Sequence, residues 1–360
     1  MSSEFGNKLT VSVFGESHGS GIGCVVNGLP AGEEIDFEKL SAFMERRRGG
    51  KGKISTARSE ADAPEFISGV TNGKTNGFPL CAVIKNQDTR SKDYEALLTT
   101  PRPGHADYTA YVKWDGMADM RGGGHFSGRL TAPLCAAGGI AKQILERKGI
   151  FVGAHVSEIA GVKDESFPLF PKKELFDEIS NKKIPVINDE AGEKMAEEIE
   201  KARTECDSVG GIAEVSITGL PAGLGNPMFD GIENRLARAF FGIPAVKGVE
   251  FGSGFASARM KGSENNDGMF MDDGGNTAFQ SNNAGGILGG ITNAMPVTAR
   301  LAFKPTPSIS KAQNTINLEN KEDTRLEIVG RHDPCVVIRA VPVIEAVAAL
   351  CALDLVLEGK

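Results

Sequence analysis

Short apolar runs bounded by glycine and proline alternate along this chain with stretches whose apolar residues recur every three or four positions. Residues 9–14, 22–26, 80–85, 151–159, 212–217, 246–251 and 297–303 read as strands. Phe37, Leu40, Phe43 and Met44 share one face of a helix, as do Ile232, Leu236 and Phe240. Further helices are predicted over the Ala-rich 131–148, over the apolar 343–357, and over 193–206, where Met195, Ile199 and Ala202 line one face. The string Gly28-Leu29-Pro30-Ala31-Gly32 returns unchanged at Gly219-Leu220-Pro221-Ala222-Gly223. Each copy follows a strand and precedes a helix, so the chain reads as a duplicated strand-turn-helix unit with two pseudo-equivalent halves.

No Pro/Ser/Gly linker separates the halves, and the expectation is one α/β domain of the α+β type over 1–360. The Lys/Glu/Pro-rich stretch within 163–210 is expected as a peripheral charged excursion. A formal net charge of -7 argues against nucleic-acid binding, which rewards a basic surface. The cations gather instead in glycine loops, as a small anionic substrate requires. The cysteines Cys24, Cys81, Cys135, Cys206, Cys335 and Cys351 stand singly in mostly apolar segments and read as reduced thiols. The first eight residues lack an apolar signal core, and 343–357 is too short to span a bilayer, so a soluble cytoplasmic protein without membrane contact is expected.

The chemistry concentrates in Arg121-Gly122-Gly123-Gly124-His125-Phe126-Ser127-Gly128-Arg129. Three consecutive glycines imply a tight turn or a backbone lying against something bulky. With an arginine at each end, the segment reads as a phosphate cradle or, alternatively, as a solvated glycine hairpin. His18, His105, His125 and His332 all sit in glycine- or proline-flanked turns beside Ser, Arg or Asp, whereas His155 looks like a satisfied sheet residue. No dinucleotide fingerprint, P-loop, zinc spacing or nucleophile elbow is present, and no metal site is expected.

The segments 15–30 (GESHGSGIGCVVNGLP), 46–53 (RRRGGKGK), 102–107 (RPGHAD), 121–129 (RGGGHFSGR), 283–297 (NAGGILGGITNAMPV), 303–309 (FKPTPSI) and 330–336 (GRHDPCV) resemble, in order and spacing, the motifs of the chorismate synthase family. The resemblance implies an anti 1,4-elimination of phosphate from 5-enolpyruvylshikimate 3-phosphate, giving chorismate. It also implies a reduced FMN that is not consumed, helices sandwiched between antiparallel β-sheets, and a homotetramer. It makes His18 a general acid, sets His105 by the flavin, and makes Asp333 a proton acceptor, with Ser17 and Ser127 as relays. His125, Phe126, Ser127, Pro244, Ala245, Gly290, Lys304, Pro305, Thr306, Pro307, Ser308 and Arg331 take the FMN positions. Arg47, Arg48, Lys53, Arg102 and Arg129 are candidates for substrate or NADP. Lys53, Pro244 and Asn27 depart from the usual family residues. NADPH is a possible reductant, although the missing nucleotide fingerprint favours an external flavin reductase. A non-catalytic binder of phosphorylated small anions is the alternative; binding needs only the arginines, so the acid/base candidates favour the enzyme.

Overall fold

In a computed structural model the chain is described over residues 3–48, 62–87, 99–328 and 333–359. Two five-stranded antiparallel sheets form its outer layers. The first runs in the order Glu4–Phe5, Thr10–Gly15, Gly21–Asn27, Leu80–Lys85, Glu65–Ser68. The second runs Val246–Phe251, Val297–Phe303, Gly211–Thr218, Phe151–Ile159, Val162–Lys163. Setting aside the short strand at one edge of each, both sheets follow the chain order first, second, fourth, third. A helix separates the second strand from the third in each: Phe37–Arg47 in the first half and Ile232–Phe241 in the other.

The repeated pentapeptide does the same work twice. Gly28 (φ 86°) and Gly219 (φ 82°) both turn left-handed, and a Cβ there would overlap the carbonyl of Lys8 or of Gly149, the residue just ahead of each half's first long strand. The Gly32 amide donates to Thr75 O (2.7 Å) and the Gly223 amide to Thr292 O (2.9 Å). Thr75 Oγ1 donates to Pro30 O (2.6 Å) and accepts from the Glu33 amide (2.9 Å); Thr292 Oγ1 repeats this with Pro221 O (2.7 Å) and the Leu224 amide (2.9 Å). Both threonines are buried. They open a second repeated string, Thr75-Asn76-Gly77-Phe78-Pro79-Leu80 against Thr292-Asn293-Ala294-Met295-Pro296-Val297, which the sequence reading passed over. In each copy the asparagine Oδ1 accepts from the amide two residues on, at 3.1 and 3.0 Å.

Between the sheets lie the long helices Thr131–Glu146 and Val337–Glu358, packed on each other, the former against the first sheet and the latter against the second. Gly138 sets their closest approach: a Cβ there would overlap the backbone and side chain of Ala346. Glu345, buried in this layer, accepts from Arg46 (2.6 and 2.9 Å) and Lys142 (2.5 Å). Burial pushes its carboxyl up, but the two cations prevail and bring it down to about 2. The last helix starts six residues before its expected position and carries Pro342 in its second turn. At 22 residues and mean hydropathy 2.2 it is long and apolar enough to cross a membrane, yet 89% of that stretch is buried in the protein. It is the core helix, and the expectation that it is too short gives way to its burial.

The 163–210 segment contributes the helices Lys173–Ser180 and Asp189–Thr204, the second starting four residues earlier than expected at the Asn188 N-cap. It packs on the strand Phe151–Ile159. A Cβ at Gly153 would overlap the Phe176 ring, and His155, on the same face two residues along, is fully buried between Asp164 (Nδ1–Oδ2 3.0 Å) and Glu214 (Nε2–Oε2 2.8 Å). Burial opposes a charged ring, but the two carboxylates outweigh it and hold the His155 pKa above the ordinary histidine value.

The repeated threonine latch should be felt equally in both halves. Thr75→Val or Thr292→Val keeps the shape and strands a buried amide, so each is expected to cost about 1–3 kcal/mol, read from guanidinium unfolding midpoints. A large loss in one and none in the other would break the equivalence. His155 gives a pH test. Its folded pKa is raised, so its stabilisation is complete below the unfolded value of about 6.5 and is lost as pH rises through the folded one. Thermal midpoints should therefore decline from neutral to alkaline pH, and His155→Gln should flatten that decline; an unchanged slope sinks the assignment.

Candidate active site

The glycine run opens the site. Gly122, Gly123 and Gly124 all take positive φ (60°, 89°, 53°), a path closed to most side chains. A Cβ on Gly122 would overlap the His18 imidazole and crowd Ser17, one on Gly123 would stand 3.2 Å from His105 Nε2, and one on Gly124 would overlap the Asp119 carbonyl. The Ser17 amide donates to Gly124 O (3.1 Å). The triplet thus lies against the loops of His18 and His105 and leads directly into the helix Thr131–Glu146.

A cavity of about 420 Å³ lies beside it, where both halves meet. The first half lines it with Arg47, Arg48, Asp62, Arg102, His105, Phe126, Ser127, Arg129 and Thr131; the second with Pro244, Ala245, Lys304, Thr306, Pro307, Ser308, Asp333 and Arg339. The first turns of both central helices reach it, at Thr131 and at Val336, Arg339 and Ala340, which favours negative charge there.

Four of its arginines are held by carboxylates. Asp62 pairs with both Arg47 and Arg129, all three being buried. Burial pushes the Asp62 carboxyl up, but the two guanidiniums override it and hold it below the usual range. Arg47 Nη1 also donates to Thr131 Oγ1 (3.3 Å), and Arg129 Nε donates to Asn86 Oδ1 (3.0 Å). Asp107 accepts from Arg102 N (2.9 Å), Nε (2.7 Å) and Nη2 (2.7 Å) and from His105 Nδ1 (2.7 Å). Arg102 Nη1 reaches on to Ser308 Oγ (3.3 Å). Asp333, also buried, lies 3.2 Å from Arg339 Nε. Lys304 Nζ donates to the Gly104 carbonyl, and burial together with Lys247 lowers its pKa. Asp62 (φ 51°) and Ala245 (φ 74°) are non-glycine residues in left-handed conformation at the cavity wall. Such strain concentrates at functional sites.

Other expected residues lie elsewhere. Arg121 does not join the cradle: it is bound to Asp119 (Nε 2.9 Å, Nη2 2.6 Å), two residues away. His125 faces the first sheet, bonded to Gly15 O (2.8 Å) and Ser3 Oγ (2.8 Å). Gly290 accepts the Ile232 amide (3.0 Å) at the start of a helix, and Pro305 packs by Gly210. Ser17 and His18 stand behind Gly122 rather than in the lining. Asn27 Nδ2 donates to Thr10 Oγ1 (3.2 Å) within the first sheet. Lys53, Arg331 and His332 lie outside the described residues. Asp62, Asn86 and Arg339 were missed by the sequence reading, and Asp107 was read only as part of a motif.

The lining suits a flat, phosphorylated aromatic group. Phe126, Ile243, Pro244, Ala245, Pro307 and Val343 supply apolar surface, and Arg47, Arg48, Arg102, Arg129, Lys304 and Arg339 supply charge. Thr306 Oγ1 is buried at the wall with no hydrogen-bond partner among the described residues, as expected of an atom awaiting a ligand. The cavity therefore combines apolar surface with fixed cations, as a site for an anionic, partly apolar ligand requires.

The sequence model of the chorismate synthase family matches residues 9–357. A chorismate synthase from Thermococcus gammatolerans is 49% identical over 355 residues, covering 99% of this chain and 98% of that protein. Another from Archaeoglobus fulgidus is 49% identical over 353 residues, covering 98% and 96%. A crystal structure of a chorismate synthase superposes with a TM-score of 0.77 at 28% identity, covering 98% of this chain and 93% of that one. With five of the seven motifs contributing to one basic cavity and near-complete coverage in all three comparisons, this chain belongs to the chorismate synthase family.

Proposed function

We propose that the cavity between the two halves is where this enzyme's elimination takes place, with FMN as the flavin held there. The activity is that of the family: phosphate leaves 5-enolpyruvylshikimate 3-phosphate in an anti 1,4-elimination that gives chorismate, the last common step toward the aromatic amino acids. A reduced flavin is required and is not consumed. The binding-only alternative finds no support among the relatives. The observation that carries the site reading is the convergence of six cationic side chains and His105 on one partly apolar cavity.

The reaction must expel phosphate while a hydrogen leaves a carbon that is scarcely acidic, so a base alone is insufficient. When bound, a reduced flavin supplies transient electron density that helps phosphate leave. The chain's own part is electrostatic and protonic. Arg47, Arg48, Arg102 and Arg129 bind the phosphate and carboxylates. Because Asp62 and Asp107 already fix three of these guanidiniums, little reorganisation is needed as charge develops on the leaving group. The family motif gives His18, which stands behind Gly122 of the lining, the role of protonating the departing phosphate. His105 sets the protonation of the flavin, and Phe126, Pro244, Ala245, Lys304, Thr306, Pro307 and Ser308 hold it. Asp333 takes up a proton from the N5 region of the flavin, with Ser17 and Ser127 as relays. Arg331 and Lys53 belong to the same reading by motif. It extends to a cytoplasmic homotetramer served by NADPH or by an external flavin reductase.

His18→Ala should lower single-turnover chemistry by about 10²–10⁴-fold while leaving substrate affinity within about threefold, because a general acid acts chiefly in the transition state. Wild-type turnover in that variant removes His18 from the mechanism. Asp333→Asn preserves shape and an acceptor toward Arg339 but cannot take up a proton. It should fold and bind FMN normally in fluorescence titrations yet react slowly under saturating substrate and reduced FMN. Lost flavin affinity with normal turnover per loaded site would mark Asp333 as structural.

A further inference from the structure

Asp107 is the first residue of the helix Asp107–Lys113, where a carboxylate is ordinarily explained by the helix dipole. Its contacts go further. One oxygen, Oδ2, takes the backbone amide and Nε of Arg102; the other, Oδ1, takes Arg102 Nη2 and His105 Nδ1, both at 2.7 Å. Burial would raise this carboxyl, but the hydrogen bonds from Arg102 and His105 hold it well below the usual carboxylate range. It is therefore ionised and can only accept. A 2.7 Å contact between an accept-only oxygen and Nδ1 requires the proton to be on Nδ1. Arg102 Nη2, 3.1 Å from the same nitrogen, is a second donor and cannot be that proton's acceptor. The close Arg102–His105 pair is therefore two donors converging on one oxygen. Nε2, the ring nitrogen toward Gly123, is left for whatever occupies the cavity.

We propose that Asp107 is a positioning residue that fixes the His105 imidazole with its proton on Nδ1 and locks the Arg102 guanidinium beside it. This rests on the reading of His105 and Arg102 as parts of the site. An orienting carboxylate of this kind can be worth up to about 10⁴ in turnover, because without it the imidazole adopts the wrong tautomer.

Asp107→Asn tests it. If the amide oxygen keeps Arg102 N and Nε, its NH₂ faces Nδ1 and must donate to it, which drives the ring proton to Nε2. Solid-state ¹⁵N NMR of histidine-labelled protein, with the His105 signal assigned by its loss in His105→Gln, should show Nδ1 protonated in the wild type and unprotonated in the variant. In turnover with reduced FMN, kcat per folded site should fall at least about tenfold, and Asp107→Glu, which restores an accept-only partner, should recover protonated Nδ1 and part of the rate. Nδ1 unprotonated in the wild type, or still protonated in Asp107→Asn, overturns the proposal. A switched tautomer with unchanged kcat instead overturns the role given to His105.

Discussion

The site depends on a stretch of backbone without side chains. At Gly122, Gly123 and Gly124 the chain takes three left-handed conformations in succession and lies against the His18 imidazole, the His105 imidazole and the Asp119 carbonyl. Any Cβ would meet one of these, and an L-residue would resist the dihedrals as well. Because the His18 loop, the His105 loop and the start of the helix Thr131–Glu146 are set by this contact, the positions of the two proposed proton-handling histidines follow from it.

Around this backbone four of the cavity's arginines are paired before any ligand arrives. Asp62 holds Arg47 and Arg129, Asp107 holds Arg102, and Asp333 lies by Arg339. A buried guanidinium without a counterion is costly, and one with a single fixed partner keeps donors to spare. The cavity thereby remains cationic overall while these four arginines are oriented. The same principle in the core, Glu345 with Arg46 and Lys142, ties three helices together and serves no ligand. What distinguishes the two cases is whether the spare donors reach open space.

The two halves give the cavity two kinds of wall. The halves share strand order, glycine turn and threonine latch, and they pack through their central helices at Gly138 and Ala346. The groups they bring to the cavity differ: the first half presents arginines and His105, and the second presents Lys304, the 304–308 loop and Asp333.

Much of this was legible in the sequence. Apolar periodicity is local, so the strands and helices emerged close to their observed bounds, and an identical pentapeptide betrayed the repeat. The histidines, arginines and loop motifs of the site were legible as residue types, and the family's motif order joined them. The second repeat was missed because only the threonine, asparagine and proline are shared while the residues between them change. The core helix runs through Pro342, past its expected start, because the proline's cost, one hydrogen bond, is outweighed by the burial of an apolar helix on all sides. Arg121 and His125 looked equivalent to Arg129 and Ser127, but the left-handed glycine turn directs them to Asp119 and to the first sheet. Asp62 carried no sequence signal, since its role exists only where two guanidiniums distant along the chain meet around it. Sequence determined the elements and the chemical inventory because those depend on neighbours along the chain; tertiary structure decided which charges pair and which face the cavity, because electrostatics and packing act through space.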